Sequence, residues 1–357
     1  MSVPAEVRAG QLLIVGFEGT QAPPELLRRI AERRVGGVVL FTRNLGEPAE
    51  VAALTRSLHA ATPPGDPPLI VSIDQEGGRV QRIRAPYTVW PAMARVAAHA
   101  DESLTDAIGE ALGAEIAAVG FNVDYAPVLD VHTNPSNPVI GDRAFGADVA
   151  AATAHGLAFW RGLERAGVRG CGKHFPGHGD TATDSHLELP RVDHDEARLR
   201  AVELAPFAAA ARAGVPMIMT AHVVYPAIDE QPATMSRRWL TDLLRGELGF
   251  RGVIVSDDLD MKAVADRFPV EDTVLRSLVA GVDCFLACRD PEIQRRAEAA
   301  LVRAAADAPV RARLAESAAR VWALRGTLRG APAAGSERAI EAQLAAHGAL
   351  ATRVGAK

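Results

Sequence analysis

The chain has 357 residues, 48% hydrophobic and 23% charged, with 39 basic against 44 acidic side chains and a net charge of −5. That composition builds a sizeable core far from the disordered range. With neither sign gathered into a long block, it excludes the concentrated basic face a nucleic-acid partner needs. No apolar run approaches the roughly 20 residues of a membrane span. The start, MSVPAEVRAGQLLIVGF, lacks both the cationic segment and the long apolar run of a secretion signal. A cytoplasmic protein without a membrane partner is expected. Cys171, Cys284 and Cys288 sit in or beside apolar runs and read as buried thiols, since no second Cys or His pair stands near them to complete a zinc site.

Eight apolar runs of strand length recur along the chain, at 12–17, 37–41, 69–74, 121–127, 168–174, 217–222, 252–257 and 282–287. Between them lie segments of helical periodicity at 25–34, 48–61, 103–119, 149–166, 195–213, 238–247 and 271–280. Strands that are apolar throughout, rather than alternating, are buried on both faces, the mark of a parallel sheet covered by helices. Eight such units predict an α/β chain forming a (β/α)8 TIM barrel. The rival, an open doubly wound sheet, calls for a Gly-rich phosphate loop after its first strand, and Gly16 and Gly19 do not form one. Segments 291–306 and 311–326 are expected as closing helices, so that 1–327 makes one catalytic barrel. Residues 328–357 are expected as a Gly/Pro/Ala-rich linker and a last helix, 336–347, that packs outside or frays.

In such a barrel, polar residues belong at the carboxyl ends of the strands, where the loops build the site. They are found there: Asp74 to Arg82 after the third run, Asp124 and Asp130 around the fourth, Arg143 beyond it, and His222, Asp257 and Asp258 after the sixth and seventh. The densest group follows the fifth, KHFPGHGDTATDSH, which holds Lys173, His174, His178, Asp180, Asp184 and His186 within fourteen residues.

Asp257 ends the run GVIVSDD, which aims its carboxylate into the barrel mouth as a nucleophile or base. The cap of a helix starting near Leu259 is left to Asp258. Asp184 and His186, two apart in an extended loop, share one side, and a carboxylate beside an imidazole makes a general acid/base. The bland alternatives are a capping pair and a solvated loop histidine. The histidine-rich run admits a zinc reading, but the first strand carries no HxH, so no metal and no cofactor is expected. In DQEGGRVQR, Gly77 and Gly78 allow a sharp turn. Arg79 and Arg82 would neighbour one another on a helix starting there, with Arg82 inward and Arg79 holding the loop. Asp74 and Glu76 read as a salt-bridged turn, the alternative being that Asp and Arg flank a pocket suited to polyol recognition.

Four stretches, IDQEGGRVQR (73–82), GDRAF (141–145), KHFPGHGDTATDSH (173–186) and VSDDLDM (255–261), together resemble the family 3 glycoside hydrolases. Within that family the chain is similar to the bacterial single-domain β-N-acetylhexosaminidases of the peptidoglycan-recycling type, over residues 10 to 325 and in chain order. The resemblance implies that Asp257 is the nucleophile, His186 the acid/base and Asp184 its partner. It implies that Asp74, Arg82, Arg143, Lys173 and His174 contact an N-acetylglucosamine unit. Many family members carry a carboxylic acid/base on a second domain, for which this chain has no room. Nothing functional is inferred from the segment past 326.

The expected activity is therefore a retaining exo-β-N-acetylglucosaminidase. Its implied partner is a saccharide bearing nonreducing N-acetylglucosamine, such as a muropeptide or a disaccharide on anhydro-muramic acid. The protein is expected as a monomer or weak homodimer. The alternatives left open are assistance by the substrate's own amide, phosphorolysis, a broader β-glycosidase, a metal-dependent barrel hydrolase and a noncatalytic sugar-binding protein.

Overall fold

The computed structural model, which describes residues 9–185 and 187–355, closes these doubly buried apolar segments into a ring rather than an open sheet. Among the described residues eight parallel strands close into a barrel: β1 (Leu13–Val15), β2 (Gly37–Val39), β3 (Ile70–Ile73), β4 (Val123–Asp124), β5 (Arg169–Phe175), β6 (Met217–Thr220), β7 (Val253–Asp258) and β8 (Cys284–Ala287). Each pairs with its neighbours in sequence, and β1 meets β8 with Leu13 opposite Phe285. The expected (β/α)8 barrel is present.

A main helix follows each strand: α1 (Pro24–Ala31), α2 (Pro48–Ala60), α3 (Glu102–Ala118), α4 (Val149–Ala166), α5 (Ala205–Ala213), α6 (Arg238–Glu247), α7 (Val270–Ala280) and α8 (Pro291–Ala304), with shorter helical turns before α3, α5 and α7. Their starts carry local signals. Asp101 accepts from the Ser103 amide at 2.9 Å, Asp148 from the Ala151 amide at 2.8 Å, and proline opens α1, α2 and α8. Helix α6 winds with the wider π-type turn and buries Trp239, Leu240, Leu243 and Leu244.

Two expectations are corrected. The single helix over 195–213 is two, Glu196–Ala201 and α5, because Pro206 has no N–H to offer a helix running through it and is placed instead in the first turn of the second. The fourth strand is shorter than 121–127, since Pro127 cannot donate to the ladder. Pairing continues beyond Asp124 through separate contacts, such as the Lys173 amide to the Pro127 carbonyl at 3.1 Å.

After α8 the chain adds α9 (Ala308–Arg325), crosses beneath the barrel, and ends in α10 (Glu341–Gly355). The crossing is tied down. Asn122 donates to the Arg329 carbonyl at 2.8 Å, Ser336 to the Ala118 carbonyl at 2.6 Å, and Leu328, Ile340 and Val354 are buried. The three cysteines are buried and free. Among the described residues no helix is long and apolar enough to cross a membrane.

Candidate active site

At the carboxyl end of β3 the chain turns back as a two-stranded antiparallel hairpin, Gln75–Gly77 with Val80–Gln81, rather than starting the helix expected near Arg79. Gly77 and Gly78, at φ 92° and 59°, make the turn, a conformation other residues resist. The Gln75 side chain locks the returning strand, accepting from the Arg82 and Ile83 amides at 2.8 and 3.0 Å. Arg79 points away from the pocket to the Ile140 carbonyl, 2.8 Å, and Asp142, 3.0 Å, so it holds a loop as expected. Arg82 turns inward, 3.3 Å from Asp74 and over the Phe41 ring.

Residues two apart on an extended strand share a face, which puts Asp74 and Glu76 side by side beneath Lys173. The Lys173 ammonium lies 2.8 Å from Asp74 and 2.6 Å from Glu76, and Glu76 also receives Arg143 through two contacts of 2.8 Å. Lys173 and Glu76 are each only 2% exposed. Burial alone would push the Glu76 carboxyl up, but Arg143 and Lys173 outweigh it and hold it well below the usual carboxylate range. Burial likewise opposes the ionised Asp74, and Lys173 with Arg82 reverses the effect. Lys173 is raised in turn, its burial more than offset by Asp74 and Glu76. The floor thus carries three cations, Arg82, Arg143 and Lys173, against two anions, a dense set of directed donors and acceptors suited to sugar hydroxyls.

Asp130, fully buried, organises the next layer. One oxygen accepts from the backbone amides of His174, 3.1 Å, and His178, 2.6 Å, while the other meets His174 Nδ1 at 2.7 Å. That contact orients the His174 ring and turns Nε2 toward Arg143, 3.5 Å away. His178 faces the loop instead, bonding Thr181 Oγ1 at 2.8 Å and Ser185 Oγ at 2.9 Å. Burial, then the charge of His174, brings it down to about 4. The loop is pinned further by Asn137 to the His178 carbonyl, 2.9 Å, and by Thr133 and His194 to Asp180, 2.7 and 2.5 Å. A side chain on Gly179 would sit 1.8 Å from the Val131 carbonyl oxygen, so the loop and that backbone touch directly.

His186 lies outside the described residues. Asp184 is half-buried on the loop. The amides of Leu187 and Glu188 both return to its carbonyl, 2.9 and 3.0 Å.

Strand β7 delivers Asp257 to the mouth, where one carboxylate oxygen accepts from the Asp258 amide at 2.8 Å. Asp258 caps no helix near Leu259, since the next helical turn is Lys262–Ala265. It accepts instead from the Asp260 amide, 3.1 Å, and the Cys288 amide, 3.0 Å, tying the end of β7 to that of β8. Burial, then the neighbouring Asp260, pushes its carboxyl up. His222 supports this tie, 3.2 Å from the Asp258 carbonyl oxygen.

These groups surround a cavity of about 200 Å³, ring-sized rather than chain-sized. Asp74, Arg82, Arg143, Lys173, His174 and Asp257 all line it, and Ser185, next to Asp184, lines it too. Phe41, Val139, Met219, Met261 and Leu286 add apolar surface. In a ring of eight, β3 and β7 stand four apart, so the Asp74 cluster and Asp257 face one another across the mouth. Among the described residues no three His, Cys, Asp or Glu side chains converge to hold a metal ion.

The sequence reading placed Glu76 and Asp130 near the site without assigning them to it. The period-two spacing of Asp74 and Glu76 carries the signal for the first. Nothing local carries it for Asp130, whose partners lie 44 and 48 residues away.

Comparison with known proteins agrees with this geometry. Residues 5–324 match the glycosyl hydrolase family 3 N-terminal domain. A β-hexosaminidase of Alkalilimnicola ehrlichii is 42% identical over 286 residues, covering 78% of this chain and 81% of its own. That of Thiobacillus denitrificans is 40% identical over 311 residues, 85% of each. Among solved structures, native NagZ from Neisseria gonorrhoeae superposes with a TM-score of 0.81 at 30% identity, covering 97% of this chain and 98% of that one. A glycoside hydrolase family 3 β-N-acetylglucosaminidase from Paenibacillus sp. superposes with a TM-score of 0.89 at 37% identity, over 99% of this chain and 68% of that one.

Proposed function

The chain belongs to the family 3 glycoside hydrolases, among the bacterial β-hexosaminidases, and from that premise we propose that it is a retaining exo-β-N-acetylglucosaminidase. The observation that carries this reading is the cavity in which Asp257 stands across the mouth from the Asp74–Lys173–Glu76–Arg143 cluster. The cluster, with Arg82 and His174, grips the hydroxyls of one terminal sugar and sets its anomeric carbon toward Asp257. A cavity of about 200 Å³ admits one ring and leaves the rest of the glycan outside, which is exo cleavage.

In the first step the Asp257 carboxylate attacks the anomeric carbon as the bond to the leaving oxygen breaks, and protonated His186 gives that oxygen its proton. In the second, neutral His186 takes a proton from water, water displaces Asp257, and the configuration is restored. A carboxylic acid in this role needs a raised pKa, whereas a histidine titrates near 6.5 without one. Asp184, two residues before His186, stabilises the imidazolium. The role of His186 rests on its place in the motif. The amide-assisted route needs a second acid free to orient the acetamido group, and Asp258 is already engaged by the Asp260 and Cys288 amides, which favours the covalent route.

The substrate proposed is a muropeptide or cell-wall disaccharide with terminal N-acetylglucosamine, met in the cytoplasm during peptidoglycan recycling. The deciding experiment compares nitrophenol release from the aryl N-acetyl-β-glucosaminide with release from the aryl β-glucoside. Strong preference for the first is expected, and equal rates would refute the specificity. Digestion of N-acetylglucosaminyl-anhydro-muramic acid should then yield free N-acetylglucosamine.

A further inference from the structure

The family match ends at residue 324, yet the chain continues up the barrel side to a point behind the sugar pocket. There α10 presents His347, buried, to α3. Its Nδ1 lies 2.8 Å from Glu115 Oε1, and its ring is 6.1 Å from that of Trp90. Glu115, 1% exposed, accepts on the same oxygen from Thr88 Oγ1 at 2.6 Å and on the other from the Thr88 amide at 3.2 Å. Thr88 in turn offers its carbonyl to the Gln81 side chain at 2.7 Å, and the oxygen of that side chain accepts from the Trp90 amide at 2.9 Å. The Trp90 carbonyl takes the Gly78 amide at 3.0 Å. Gln81 is the last residue of the hairpin, and Arg82 follows it into the pocket.

Ile83, Tyr87 and Trp90 also belong to the apolar core, so the polar path is added to packing rather than a substitute for it. Between residues 86–91 and α10 the surfaces part into a groove of about 600 Å³, bordered by Val89, Pro91, Leu344 and Ala351. Where the groove removes apolar contact, α10 reaches the hairpin segment through a buried polar chain that runs through one carboxylate. Removing one donor from a buried acceptor loosens everything that acceptor orders.

We propose that α10 is a buttress for the sugar pocket and that His347 is its positioning residue, acting through Glu115, Thr88 and Gln81 to fix the hairpin that carries Glu76 and Arg82. This rests on the sugar-binding reading of the cavity. His347 touches no substrate. Its influence falls on ground-state sugar binding rather than on the bond-breaking step, so KM moves and kcat does not.

The test is His347→Ala in the full chain, with His347→Asn, which retains a donor near the Nδ1 position, as the rescue variant. His347→Ala should raise KM for the aryl N-acetyl-β-glucosaminide about fivefold with kcat within about twofold. The Thr88, Trp90 and Gly78 amides, which the path itself bonds, should exchange hydrogen about tenfold faster, and His347→Asn should restore both. Thr88→Val breaks the same path from its other end and is expected to act alike, so the question remains answerable should His347→Ala not fold. Unchanged KM and unchanged exchange, with only a lower melting temperature, would overturn the proposal. Exchange is measured without substrate. A wild-type protein that failed to cleave the glycoside would sink the sugar reading, and the exchange result would still decide the buttress.

Discussion

Arg143 and Glu76 meet as two forks, Nε to Oε2 and Nη2 to Oε1, both at 2.8 Å, with Lys173 adding a third contact to Oε1 at 2.6 Å. One buried carboxylate thereby meets two cations, one of which, Lys173, it shares with Asp74. Glu76→Gln keeps the shape but strands the Arg143 charge and leaves Lys173 to Asp74 alone. It should cost about 3 kcal/mol of stability, read as a lower denaturant midpoint, together with a higher KM. A variant of wild-type stability would show that the pair is balanced from elsewhere.

Asp257→Ala should lower kcat by about 10⁴-fold or more on aryl and natural glycosides alike, because no other group is proposed to attack the anomeric carbon. Azide added to that variant should recover turnover by entering the vacated space, giving the glycosyl azide of inverted configuration. Retained activity without azide would point to the substrate's amide as nucleophile.

His186→Ala should separate substrates by leaving group. Natural glycosides, whose departing oxygen needs a proton, should lose about 10²- to 10⁴-fold, and dinitrophenyl glycosides far less. Equal losses on both would remove His186 from the acid role.

His178 supplies a pH signature of folding. Its buried site and the charge of His174 bring it down to about 4, whereas the unfolded chain takes up that proton near 6.5. Between those values the unfolded state binds more protons, so stability falls as pH falls, by about 2 kcal/mol from pH 7 to pH 5 for this group. Glu76, Asp74 and Asp130, all lowered, act in another window: their contribution is present above the ordinary carboxylate pKa and is lost only below it. Denaturation of wild type and His178→Asn at both pH values should give a flatter dependence in the variant. Parallel slopes would mean His178 titrates normally in the native state.

Gly179→Ala tests the loop itself. The added methyl group would lie 1.8 Å from the Val131 carbonyl oxygen, and the loop must shift to admit it. Stability should fall by about 1–3 kcal/mol, and kcat/KM on a natural glycoside by about 100-fold, the scale expected of a 1 Å misplacement. Full activity would show that the loop reaches its working position independently of this contact.

The barrel and most of the site were legible because both are written in short-range patterns. Wholly apolar runs such as 12–17 and 282–287 announce strands buried on both faces, and the polar residues that end them announce the mouth. The places where the reading went astray depend on distant partners or on a single backbone constraint. Nothing in DQEGGRVQR favours a hairpin over a helix until Gln75 is seen to clamp the Arg82 and Ile83 amides and Asp124 the Gln75 amide. Asp258 reads as a cap because one of its two donors, the Cys288 amide, lies thirty residues downstream. Pro206 was visible, but the helical periodicity around it hid the break.

The ring is sealed by a seam between its two ends. Leu13 already has Gly37 and its neighbours on one side, through the Ile14 pairing, but its other edge stays open until Phe285 has been synthesised. At ribosomal rates of about 5–20 residues per second, that wait is on the order of 15 s or more. Throughout it, the newborn chain displays an unpaired apolar edge at β1, the kind of surface that invites aggregation and that chaperones shield. Expression yield should therefore respond to translation speed and chaperone supply more strongly than the stability of the finished protein would suggest.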